Sequence, residues 1–245
     1  NSSIPRNGID NELCTLSLKD SEAELAAVFK PEDGRFVGDV DLHFDGTRML
    51  FSMPDENRRW QIFEMNVDGT GLRRLPLILE PDVDNYDACY LPDGAIMFSS
   101  TAPFVGVPCV TGSSHVSHLF RYEPDIGAIR RLTFEQDHNW CPTVLNNGRV
   151  LYLRWEYSDI PHFVSRILFH MNPDGTNQVE YYGSNSYWPN GLFFARPVPN
   201  HPTKVVAIVS GHHDVRRMGE LVLIDPARGR ARAGGVVQRI PGRGK

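Results

Sequence analysis

Apolar and polar residues alternate along this chain in short runs, as in residues 61–65 (Gln-Ile-Phe-Glu-Met). A period of two places one face of such a run in a core, so these segments predict strands. The runs end at Asp-Gly or Asn-Gly pairs, whose residues take up the positive φ that tight hairpins require. No segment sustains a helical period, so the chain reads as all-β.

The strands fall into two recurring units. The first is a hairpin, seen at residues 41–52, 90–99 and 144–153 and, in degraded form, at 193–210, where Asn200-His201-Pro202-Thr203 replaces the turn. The second is an alternating strand, a turn and a short strand, at residues 61–75, 118–132, 167–179 and 220–229. Alternation of the units gives four antiparallel strands every roughly 45 to 55 residues, the sequence signature of a β-propeller blade. The expected organisation is one propeller domain over residues 1–245, with full blades at 39–77, 87–134, 141–183 and 193–235 and a half blade at 12–30. An open stack of blades leaves sheet faces and edges exposed, so the expectation is part of a larger ring of about six to eight blades. A small ring of about four or five blades closed by this chain alone is the alternative.

In a propeller the first strand of each blade lines the central channel, and function gathers on the face carrying the loops between second and third strands and the links between blades. That face is expected to collect Asp84, Tyr86, Asp87, His115, Asp137, His138, Asn139, His162, Asn185, His212 and His213 as channel-mouth or ligand-binding residues. Asp84, Tyr86, Asp137, His138, Asn139 and Asn185 are grouped because each occupies an interblade link. Imidazoles and carboxylates are competent metal ligands, which makes His115, His212 and His213 the candidates for a divalent metal, against a plain polar rim. Tyr86, Trp140, Trp155, Tyr157, Tyr187 and Trp188 supply aromatic surface for a sugar, a flat cofactor or a partner loop, against interblade packing. Trp60 and Trp155 are expected as core wedges. The turns at Asp68-Gly69 and Asp174-Gly175 resemble Asp-box turns without the completing aromatic, and hairpin chemistry accounts for them.

Composition narrows the function classes. The net charge is −5 and the basic residues are dispersed except in the Arg-rich stretch 228–245, so nucleic acid is not an expected partner. No apolar run is long enough for a membrane span. The four cysteines, Cys14, Cys89, Cys109 and Cys141, form neither CxxC nor CxxCH. Cys89 and Cys109 bracket one hairpin and are a candidate disulfide in an oxidising compartment, with buried thiols as the alternative. There is no GxSxG elbow, and acidic pairs such as Asp82 and Asp84 obey no glycosidase spacing, so no catalytic residues are assigned.

Several segments resemble the propeller of hydrazine synthase alpha subunit-like proteins: Gly38-Asp-Val-Asp-Leu-His-Phe-Asp-Gly46, Asp82-Val-Asp-Asn-Tyr-Asp-Ala-Cys-Tyr90, Asp137-His-Asn-Trp-Cys-Pro142, Tyr152-Leu-Arg-Trp-Glu-Tyr157 and Tyr182-Gly-Ser-Asn-Ser-Tyr-Trp-Pro189. The Pro-Asp-Gly turns at Pro92 and Pro173 are similar to the broader TolB-like repeat. The resemblance implies an extracytoplasmic bacterial propeller joined to other domains, which in that family carry c-type haem. Without CxxCH, covalent haem chemistry is not expected here, so any haem belongs to an absent domain and this chain carries no cofactor of its own beyond the candidate metal. The leading expectation is a non-catalytic scaffold that binds other domains of its parent or a protein partner. The alternatives are the propeller part of a haem oxidoreductase and a propeller covering a peptidase site.

Overall fold

The computed structural model describes residues 4–107, 112, 114–157, 165–183, 186–211 and 219–240. Among them the architecture is all-β, with only two short 3-10 turns, Glu32–Gly34 and Pro226–Arg228. Strands β1 (Leu13–Thr15) and β2 (Ala26–Phe29) form a two-stranded antiparallel sheet. Strands β3 (Gly38–Leu42), β4 (Arg48–Pro54), β5 (Trp60–Asn66) and β6 (Arg73–Arg74) form the first four-stranded sheet in chain order. The second contains β7 (Asn85–Tyr90), β8 (Ile96–Ser100), β9 (His118–Glu123) and β10 (Ala128–Arg131), again in chain order. Next come β11 (Asn139–Val144), β12 (Val150–Trp155), β13 (Arg166–Met171) and β14 (Val179–Tyr182). The last set is β15 (Gly191–Pro197), β16 (Val205–Ser210), β17 (Glu220–Ile224) and β18 (Val236–Ile240). One parallel bridge, Arg166 to Gly191, joins these two sets into a single sheet. Consecutive strands paired in chain order are the up-and-down meander of propeller blades.

The tight turns are three-residue rather than two-residue hairpins. Gly46, Gly94 and Gly148 have positive φ, but the Asp or Asn before each does not. The amide of Gly94 donates to Leu91 O and that of Leu91 to Ala95 O; Gly148, Leu145 and Arg149 repeat the pattern. This is a type I turn closed by a left-handed glycine, the three-residue hairpin form. The turns at Asp68 and Asp174 share it, and each Asp Oδ1 also accepts from the backbone amide and hydroxyl of the Thr two residues on. Where the last set lacks the glycine, Asn200 takes φ 60°.

A second repeated device lies in the first strand of every set. Asp39, Asp87, Cys141 and Phe194 have φ between 52° and 56°, and at each the pairing with the next strand slips register. These are β-bulges, which bend the strand and redirect a side chain.

The chain packs as two compact units, Asn1–Ala102 with Tyr122–Ile129 and Pro103–Arg121 with Arg130–Lys245. In the first, Val37, Met49, Phe51, Met53 and Met65 form a core against which Phe29 and Phe63 pack. In the second, Leu151, Leu153, Leu168, Tyr182, Leu192, Phe193 and Val222 belong to one extended cluster. Burial of each such side chain stabilises by about 2 kcal/mol. Trp60 and Trp155 are buried as expected of wedges.

Candidate functional site

The bulge supplies a register that aligns the blades. Counting back three residues from it gives Asp84 in the second blade and His138 in the third. The two side chains do the same work. Asp84 Oδ1 accepts the amide of Trp60 at 2.9 Å, and His138 Nδ1 accepts the amide of Ser117 at 2.9 Å. Trp60 and Ser117 are themselves equivalent, each two residues before the carbonyl that receives the amide just past the end of the fourth strand, Ile62 O from Leu75 and Leu119 O from Leu132. In both links the carbonyl of the accepting residue also binds the amide just beyond or at the end of the second strand, Thr101 to Asp84 and Trp155 to His138. Asp84 and His138 are thus clips that fasten a first strand to the third strand of the blade before it. Asp84 is further paired with Arg6 at 2.9 Å. In the fourth blade the equivalent residue is Gly191, and the clip becomes backbone only, with Arg166 N donating to Asn190 O at 2.7 Å.

Beside the His138 clip lies a group that packing does not fully satisfy. Asp137 is 6% exposed; its Oδ2 accepts the amide of Tyr157 at 2.7 Å, while its Oδ1 is buried with no hydrogen-bond partner among the described residues. Burial raises its pKa above the usual carboxylate value, against the opposing pull of the Tyr157 amide and of Arg154. Around it the Trp155 ring stacks with His138 (6.0 Å between centroids, 27°), meets Tyr157 edge-on at 5.2 Å and carries the Arg166 guanidinium at 5.1 Å. Val107, Val116 and Trp155 form a small core here, with Trp140 and Tyr157 packed on it. Asn139 is fully buried; its Nδ2 donates to Glu135 and its Oδ1 has no partner among the described residues. Glu135 in turn binds Arg154 at 3.0 Å. A buried ionisable oxygen without a hydrogen-bond partner carries a desolvation cost that a donor reaching it would offset.

The remaining predicted residues divide into three groups. Tyr86 is buried on β7, opposite Ser99, and Asp87 is the bulge residue, its amide donating to Ser52 Oγ at 2.9 Å. His115 bridges Gly106 and meets the Phe104 ring edge-on at 5.3 Å. His162, Asn185, His212, His213 and Cys109 lie outside the described residues, and with them the Cys89–Cys109 pairing and two of the three metal candidates. No group of three or more His, Cys, Asp or Glu is arranged to hold a metal among the described residues.

Sequence reasoning passed over Ser117, Glu135 and Arg166. Alignment of the blades on the start of their third strands, which places Trp60, Ser117 and Arg166 at one position, is the signal that finds Ser117 and Arg166; none marks Glu135. It also aligns Gln61 with His118, both buried, whose side chains donate to the carbonyls of Val83 (3.4 Å) and Thr133 (2.9 Å).

With this geometry in hand, comparison with solved structures defines the class: a β-propeller with TolB-like relatives in fold. The structure of Kuenenia stuttgartiensis hydrazine synthase superposes with a TM-score of 0.68 at 15% identity, over 90% of this chain and 34% of that one. TolB from Acinetobacter baumannii matches with a TM-score of 0.56 at 16% identity, over 95% and 52%. A putative TolB from Agrobacterium tumefaciens matches with a TM-score of 0.58 at 17% identity, over 94% and 81%. No protein-family model and no curated protein matches the chain. It therefore spans about a third of the hydrazine synthase chain and about half of the Acinetobacter TolB, and the likeness is one of fold. No helix among the described residues is long and apolar enough to cross a membrane.

Proposed function

We propose that this chain is the propeller of a larger extracytoplasmic bacterial protein and acts as a non-catalytic scaffold, meeting another domain or a protein partner at the Asp137–Trp155 cluster. The observation that carries the reading is the buried Asp137 carboxylate, with one oxygen on the Tyr157 amide and the other lacking a partner among the described residues. A partner donor that enters through a local opening offsets the desolvation of that oxygen, and the partly buried Trp140 and Tyr157 give the partner an apolar bed of the kind found at interface hot spots. The likeness in fold to TolB and hydrazine synthase supports the extracytoplasmic part of this reading. Hydrogen exchange tests the interface: amides of residues 105–107 and 155–157 are expected to exchange more slowly in the intact parent protein than in the isolated chain. Equal exchange in both overturns the reading.

The hydrazine synthase superposition favours one second reading, in which the propeller shapes the pocket of a haem held by another domain of an oxidoreductase. Elemental analysis of the purified chain and of its His115, His212 and His213 alanine variants separates the two. Stoichiometric metal lost in the variants supports the redox reading; metal-free protein throughout favours the scaffold.

A further inference from the structure

The first unit contains a cavity of about 570 Å³, on the side of the first full blade that faces β2, far in sequence from Asp137. Phe29, Met53, Phe63 and Leu72 give it apolar walls, and charged side chains of both signs stand around them. Its volume falls within the range of small-molecule sites, which combine apolar walls with a few placed polar groups.

Two arginines set its preference. Arg74 Nη1 is held by the buried Asp55 carboxylate at 3.1 Å, and Arg35 Nη1 donates to Pro54 O at 3.1 Å. Arg74 is anchored through this one nitrogen and Arg35 through two, its Nε adding a 3.4 Å bond to Glu32 O. The Nη2 groups of both make no hydrogen bond among the described residues. A guanidinium has five donors in a planar fork, so two anchored forks lining one cavity are preorganised for a carboxylate. Lys30 adds positive charge, although Asp10 already pairs with it at 2.7 Å. The opposing carboxylates are weaker competitors. Glu56 is 79% exposed and stands 3.9 Å from Arg74, and Arg35 uses the Glu32 carbonyl. We propose that this cavity binds an organic carboxylate with a short apolar chain, its head on Arg35 and Arg74 and its chain against Phe29, Phe63 and Leu72.

The test is titration of the purified chain with hexanoate by calorimetry, with hexanol and hexylammonium as neutral and cationic counterparts. N-acetyl-leucyl-leucine is titrated alongside. Hexanoate is expected to bind one to one with Kd of roughly 0.1–1 mM, the range open to a ligand of so few atoms. Arg35→Gln is expected to weaken it about tenfold by removing a charge-assisted hydrogen bond. Leu72→Trp, at a residue 44% exposed, is expected to abolish binding by filling the cavity without disturbing the core. Tighter binding of the dipeptide assigns a peptide C-terminus as the source of the carboxylate, and tighter binding of hexanoate assigns a free acid. Equal binding of hexanol or hexylammonium, binding unchanged in both variants, or absence of binding overturns the proposal.

Discussion

The backbone amide of Ser117 donates to Nδ1 of His138 at 2.9 Å, which fixes the neutral ring with its proton on Nε2 and ties the third blade to the third strand of the second. His138→Ala removes the acceptor and leaves the Ser117 amide part-buried, at a cost of about 1–2 kcal/mol. Asp84→Ala is expected to cost more, about 3 kcal/mol, because Arg6 loses its ion-pair partner, keeping only the Arg58 carbonyl, as well as the Trp60 amide losing its acceptor. Urea denaturation of the two variants measures both losses; if Asp84→Ala costs less than His138→Ala, the clips are not equivalent devices.

Asp137 titrates in a sense opposite to the usual paired carboxylate. Burial raises its folded pKa above the ordinary 3.8, so the folded chain holds the proton to higher pH than the unfolded chain. At neutral pH both states are ionised and the desolvation penalty is fully present; the folded state gains stability as pH falls through the raised value. Asp137→Asn removes this titration. The melting temperature of the wild type minus that of Asp137→Asn is therefore expected to become more positive between about pH 7 and about pH 3.5. A difference independent of pH refutes the assignment.

The blades were legible because alternation and Gly turns are local: Gly94 and Gly148 mark hairpins whatever the surroundings. Bulges were not legible, because Asp39, Asp87, Cys141 and Phe194 share no side-chain chemistry; their left-handed backbone comes from the register of the neighbouring strand. The interblade-link positions of Asp84 and His138 mark them as site residues in the sequence, yet both accept a backbone amide from the preceding blade. A ligand and a clip need the same lone pairs, and only the position of the third strand distinguishes them. Asp137 could be named from sequence, but its buried oxygen depends on where the Tyr157 amide falls.

Phe194 gives a direct test of the bulge. It holds φ 52° while 38% exposed, so it bears the left-handed backbone penalty with incomplete burial in return. Asn tolerates this region better than an aromatic residue. Phe194→Asn is expected to raise stability by about 1 kcal/mol in urea denaturation, and a comparable loss counts against strain at this position.

His118 connects the blade register to acid stability. It is fully buried, with Nδ1 2.9 Å from Thr133 O, and its pKa is pushed down to about 4 first by desolvation and then by Arg131, against the Thr133 carbonyl and Glu135. A depressed histidine stabilises the neutral fold fully above its ordinary 6.5, and that contribution is lost as pH falls from 6.5 through about 4. The loss is on the order of 3 kcal/mol. His170, pushed down to about 4 by burial and Arg149, acts in the same direction. Gln61 occupies the equivalent position in the first blade and donates to Val83 O without titrating. His118→Gln therefore replaces the third-strand histidine with a residue the fold already uses there. The variant is expected to fold at neutral pH and to show a shallower fall in unfolding free energy between about pH 6.5 and about pH 4 than the wild type. Parallel pH profiles for the two proteins, measured by urea denaturation, show instead that the buried imidazole is not what acid attacks in this blade.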